Sequence, residues 1–149
     1  MELRDLAVVA IGRNDGQRLV RCLRSLALFV PTGQVVYVDS GSTDGSVAAA
    51  AALSIEALSL DPNRPMSAAR GRNAGAAWVL KNLDAAAILF VDGDCEVEEK
   101  FVRKALAILQ SDESLGAVCG YRRERFPERS VFNRLCDVEW RSPEPGPSS

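Results

Sequence analysis

Two aspartates separated by one glycine, Asp92-Gly93-Asp94, follow the apolar run ILFV and precede a cysteine and a glutamate. Carboxylates that close together repel unless a cation or a set of hydrogen-bond donors neutralises them. Two readings stay open from the motif alone. One is a hard divalent ion, Mg²⁺ or Mn²⁺, completing its shell with water and substrate phosphates. The other is an Asp-Gly turn whose carboxylates cap backbone amides or the following helix. A calcium loop of the EF-hand kind is excluded. With Asp92 as first position, Val97 stands where the glycine is required and Arg103 where the closing glutamate is required.

Oxygen chemistry is also what the rest of the composition leaves available. The chain has no histidine, and its four cysteines, Cys22, Cys95, Cys119 and Cys136, form no CxxC pair. That removes zinc-ligand spacing and both Ser-His-Asp and Cys-His catalysis. The cysteines read as reduced, buried small residues of a protein in a reducing compartment.

Three further clusters carry polar chemistry. In VVYVDSGSTDGS, Asp39, Ser40, Ser42 and Asp44 are either ligand contacts or a loop leading into a helix cap. In AARGRNAG, Arg70 and Arg72 lie near a helix start, where cations are unfavourable unless an anion or acidic rim faces them. A solvated helix face is the plainer alternative. Arg122, Arg123, Arg125 and Arg129 are interleaved with Glu124 and Glu128, so they either meet phosphate or form a salt-bridged surface. Trp78 and Trp140 read as packing residues.

The elements that must position these groups alternate between short apolar runs and stretches of helical period, the pattern of βα units around a mostly parallel sheet. Strands are predicted at Leu6–Ile11, Val35–Val38, Leu58–Leu60, Ala86–Val91 and Ala117–Cys119. Leu19, Cys22, Leu23 and Leu26 recur at three- and four-residue spacing and predict an amphipathic helix. An alanine-rich helix starts at Val47, and Ser67 can cap a third helix whose glycines and alanines permit close packing. A fourth runs from Glu98 to Gln110 with Phe101, Ala105, Ile108 and Leu109 on one face, and VFNRLCDVEW forms a short last one. In such a sheet, ligands bind where strand C-termini open into loops, and GRND, DSGSTDGS and DGDCE all follow predicted strands.

A length of 149 residues, 47% hydrophobic and 26% charged, fits one domain over residues 1–141, with 142–149 (SPEPGPSS) a disordered tail. A net charge of −2 gives no electrostatic case for nucleic acid or an anionic membrane. The N-terminus is too acidic for a signal peptide, and no apolar stretch reaches the length of a membrane span. A cytoplasmic protein, at most peripheral to a membrane, is expected. No GxGxxG follows the first strand and no GxxxxGK[ST] occurs, which disfavours a dinucleotide or P-loop enzyme.

The ordered set VVAIGRND, VVYVDSGSTDGS, SAARGRNAGAA and ILFVDGDCEV resembles the nucleotide-binding part of family 2 glycosyltransferases with the GT-A fold, an α/β, Rossmann-like sheet flanked by helices. The resemblance implies a nucleotide diphosphate-sugar donor, UDP- or GDP-linked, transferred to an acceptor with a divalent metal, Mg²⁺ or Mn²⁺. It implies that Asp39 lies at the base, with Ile11, Gly12 and Arg13 as the floor beside it. Asp44 matches the second acid of that loop, and Arg72 with Asn73 a polar pair near the donor. Asp92 and Gly93 would face ribose and metal, and Asp94 would be the main metal ligand. Many members have a proline and an aromatic where this chain has Gly12 and Arg13. The resemblance also leads to the expectation of a truncated fold, with the acceptor-binding half and its catalytic base outside the chain. Autonomous transfer would then need a second copy or a complementing chain, and the alternative is a non-catalytic nucleotide-binding module.

Overall fold

The computed structural model describes residues 1–140. The described chain divides into two compact units, the first Met1–Glu113 and the second beginning at Ser114.

The first unit is built on a four-stranded sheet in the order β3-β2-β1-β4, formed by β1 (Leu6–Gly12), β2 (Val35–Asp39), β3 (Glu56–Ser59) and β4 (Ala87–Asp92). Every pairing is parallel. The apolar runs form β1 and β2 because both are covered on two faces, and every residue of Leu6–Ile11 and Val35–Asp39 is buried. Helices α1 (Gln17–Ala27), α2 (Ser46–Ala52), α3 (Ala68–Asn82) and α4 (Glu99–Ser111) supply the cover. On one face Val8, Ala10, Val35 and Tyr37 pack with Leu19, Cys22, Leu23 and Leu26 of α1, Ala50 of α2, and Val102 and Leu106 of α4. On the other, Ala7, Val9, Ile11, Val36 and Val38 pack against α3 through Val79.

Helix α3 meets the sheet through its glycines. A methyl group on Gly75 would overlap Val9 and lie 3.1 Å from Val38 Cγ2, and one on Gly71 would lie 3.3 Å from Ile11 Cγ2. The glycines that weaken α3 as an isolated helix thus let it seat on β1 and β2. Ser67 caps it, accepting from Arg70 N–H at 3.2 Å.

Three expectations are corrected. The third strand is Glu56–Ser59, an edge strand that pairs with β2 through backbone and is half-buried only at Ala57 and Leu58, and Leu60 just beyond it donates its N–H to Asp39 O at 2.9 Å. Residues 117–119 form no strand: three short residues between Gly116 and Gly120 join no ladder. The buried stripe of α4 centres on Val102 and Leu106, with Phe101, Ala105, Ile108 and Leu109 only half-buried at its margins.

The second unit contains α5 (Val131–Trp140). Its polar side turns inward: Asp137, 2% exposed, accepts from Arg123 Nε at 3.1 Å and from Glu124 N–H at 3.2 Å. Val131, Phe132, Leu135 and Val138 are exposed. Arg122 stacks over the Trp140 ring at 5.2 Å and Arg134 pairs with Glu128, so these two, like Arg123, make contacts within the segment. The expected tail, 142–149, lies outside the described residues. Among the described residues no helix is long and apolar enough to cross a membrane.

Candidate functional site

Parallel strands open all their carboxyl ends on one edge. Strand register sets Gly12 beside Asp39 and Ile11 beside Asp92, so the loops that follow β1, β2 and β4 start level with one another. Ladder bonds continue past the strands: Ser40 N–H donates to Gly12 O at 3.0 Å and Gly93 N–H to Ile11 O at 2.7 Å. The first two loops are then tied to each other. Asn14, in the left-handed region at φ 55°, donates its N–H to Ser42 Oγ at 2.9 Å and accepts from Thr43 N–H at 2.7 Å.

Asp39 is the hub of the second loop. It is 2% exposed, its Oδ1 accepts from Tyr37 OH at 3.0 Å, and its Oδ2 accepts from the N–H groups of Gly41 and Ser42 at 3.0 and 2.9 Å. Burial raises the Tyr37 phenol above its usual range, so it remains a donor. The carboxylate therefore shapes the Ser40–Asp44 turn from inside. Asp44 lies on the outside, where the Ser46 hydroxyl, donating to Oδ1 at 2.6 Å, holds its carboxyl below the usual range.

Across β1, Arg72 of α3 reaches the end of β4, its Nη2 lying 2.8 Å from Asp92 Oδ1. Their side chains are 40% and 41% exposed, so the pair is open to a ligand. Asn73 beside it is exposed. Arg70 points elsewhere: its Nη1 donates to the carbonyls of Asp61 and Arg64, each at 3.0 Å, and it braces the β3–α3 loop. Of the two arginines with an expected anion-facing role, Arg72 is the one at the acidic rim. Asp94 is exposed, two residues beyond Asp92, and Cys95 Sγ lies 3.5 Å from its Oδ1.

Sequence reasoning missed Asp15, which the fold places at the centre of this edge. Its Oδ2 accepts from Arg13 N–H at 3.2 Å and occupies the space that a side chain at Gly12 would fill. The same oxygen would be 2.9 Å from a Cβ on Gly93. The carboxylate thus sits against both glycines, and at Gly93 the Ile11 carbonyl and Leu19, each 3.2 Å from such a Cβ, close the same space. Burial first, and then the charge of Asp94, raise the Asp15 carboxyl above 3.8. Nothing in the local sequence signals this, since it needs the β1 and β4 loops side by side. Tyr37 was missed as well, although a signal for it existed, since residues two apart on a strand share a face.

The cysteine expectation is corrected in part. Only Cys22 is buried, Cys95 and Cys136 are half-buried and Cys119 is exposed; none is in a disulfide.

The chemistry of the edge suits a hard cation only as a partial shell. Among the described residues no group of three acidic, histidine or cysteine side chains converges to cage a metal. One exposed carboxylate and a second shared with an arginine nevertheless match an ion that takes its other ligands from water and phosphate oxygens.

A parallel α/β unit that brings Asp39, Asp44, Asp92 and Asp94 to the carboxyl edge of its sheet, with Arg72 of α3 paired to Asp92 there, has the GT-A, Rossmann-like architecture. The chain belongs to glycosyl transferase family 2, whose model matches residues 7–144. No curated protein matches it.

Proposed function

We propose that this edge binds a nucleotide diphosphate-sugar, UDP- or GDP-linked, together with Mg²⁺ or Mn²⁺, for transfer of the sugar to an acceptor hydroxyl. The observation that carries the reading is the exposed Asp94 next to the Arg72–Asp92 pair, level with the turn built around Asp39. Asp94 and Asp92 would hold the metal, which when bound neutralises charge on the departing diphosphate. Arg72 supplies a fixed cation for the same phosphates. Ile11, Gly12, Arg13 and the Ser40–Asp44 turn form the floor and wall for the nucleoside, and Asn73 and Gly93 border it. In the transfer itself, a bond forms from the acceptor oxygen to the anomeric carbon as the bond to the diphosphate oxygen breaks, and the hydroxyl proton passes to a base.

Titration calorimetry with UDP, GDP and their sugars, with and without Mn²⁺, tests the reading. Heat of binding that requires Mn²⁺ supports it, and the absence of binding under every condition overturns it. Metal-dependent binding with no transfer to any acceptor assigns the chain instead to a nucleotide-binding module that needs a second copy or a complementing chain for turnover.

A further inference from the structure

The loop that carries Asp94 is fastened along one side of α1, and a residue outside the edge does the fastening. Gly93 N–H donates to Ile11 O at 2.7 Å, the last bond of β4 to β1. Cys95 N–H then closes a turn on Asp92 O at 2.9 Å, and the Cys22 thiol of α1 leans on the same carbonyl at 3.8 Å. Arg21, one residue back on α1, pairs with Glu96 at 3.4 Å through side chains 53% and 34% exposed, a geometry in which ion pairs hold weakly.

The firm far anchor is Ser25. Its hydroxyl donates to Cys22 O at 2.7 Å, the back-bond a serine makes inside a helix. That fixes the hydroxyl proton and turns the oxygen's lone pairs outward, where Oγ accepts Val97 N–H at 3.1 Å. Asp94, Cys95 and Glu96 thus form a short arch pinned at Gly93 by β1 and at Val97 by Ser25. Without the hydroxyl, a half-buried amide is left unpaired and the arch loses one of its two ends.

We propose that Ser25 is a positioning residue for the donor site: it acts on ligand through the arch, setting where the Asp94 carboxylate stands. The role rests on the metal-nucleotide reading above.

The test uses the full chain with Ser25→Ala and Ser25→Thr, the second retaining a hydroxyl. Amide hydrogen exchange reads the arch directly, and calorimetry reads UDP and GDP binding in Mn²⁺ and in EDTA. For Ser25→Ala, exchange at Val97 is expected to accelerate, and affinity in Mn²⁺ to fall about five- to tenfold, the loss of one hydrogen bond's net worth. Any binding measured in EDTA is expected to stay unchanged. Ser25→Thr is expected to restore both readouts. A loosened Val97 with wild-type affinity, or equal loss of affinity in Mn²⁺ and EDTA, overturns the positioning role. An unchanged Val97 amide overturns the anchor itself. A wild-type chain that binds no nucleotide overturns the donor-site reading and this role with it, whereas the preceding outcomes overturn this role alone.

Discussion

Arg72 Nη2 stands 2.8 Å from Asp92 Oδ1 and joins the first turns of α3 to the end of β4. On the divalent ion of the proposed donor site the pair would have a double effect: it occupies one of the oxygens the ion would use, and it keeps a cation beside the place where phosphates would lie. Arg72→Ala is expected to cut Mn²⁺-dependent nucleotide affinity about tenfold or more, the effect of losing a charge-assisted contact. Stability should change by no more than ~1 kcal/mol, because the pair is half-exposed. Calorimetry and urea unfolding separate the two. Asp94→Asn is expected to abolish the difference between Mn²⁺ and EDTA while leaving the unfolding midpoint in place.

Asp15 makes a pH-dependent contribution whose sign is fixed by its raised carboxyl. A carboxyl that binds its proton more tightly in the fold than in the open chain favours folding when protonated. That advantage is complete below 3.8, the open-chain value, and is lost as pH rises through the higher folded value. Asp15→Asn keeps an acceptor for Arg13 N–H and removes the charge. It is therefore expected to gain stability relative to wild type with rising pH, and to lose that advantage in acid. Thermal melts from pH 3 to pH 8 decide it, and a difference that grows toward acid would contradict the assignment.

Gly75→Ala tests the seating of α3. The added methyl would meet Val9 and Val38, both fully buried and held in β1 and β2. Although alanine favours helix, overpacking at this position is expected to destabilise by ~1–3 kcal/mol. Urea unfolding measures it, and a gain in stability would mean that the helix seats further from the sheet.

Cys22 should be chemically silent. Burial pushes its thiol up to about 12, so little thiolate exists at ordinary pH. At pH 8 an alkylating reagent is expected to modify exposed Cys119 rapidly and Cys22 only after unfolding, as followed by peptide mass spectrometry. Labelling of Cys22 at a comparable rate in the native protein would place α1 further from the sheet.

The parts legible in the sequence were those governed by burial and periodicity. LAVVAI and VVYV announce two-sided burial, and Leu19, Cys22, Leu23 and Leu26 mark the inner face of α1. The order of the acidic loops was enough to put Asp39, Asp44, Asp92 and Asp94 at strand ends. What side chains do there was less accessible. Whether Asp39 faces a ligand or the interior depends on Tyr37 OH and two loop amides, and whether Arg70 or Arg72 meets the acids depends on helix rotation over the sheet. Asp15 was invisible for the same reason, since its neighbours come from segments about eighty residues apart in the chain. Residues 117–119 misled because a short apolar stretch does not report whether a neighbouring strand is there to pair with, and β3 was placed two residues late because backbone pairing with β2, which begins at Glu56, sets its start rather than apolar character.

With its oxygens committed to Tyr37 and the turn amides, Asp39 would meet the heterocycle of the proposed donor mainly through the contour it imposes on main chain. Discrimination between a pyrimidine and a purine would then reside in the hydroxyls and peptide groups of the Ser40–Asp44 turn. Redesigning that preference would mean rewriting the turn while leaving its acid in place.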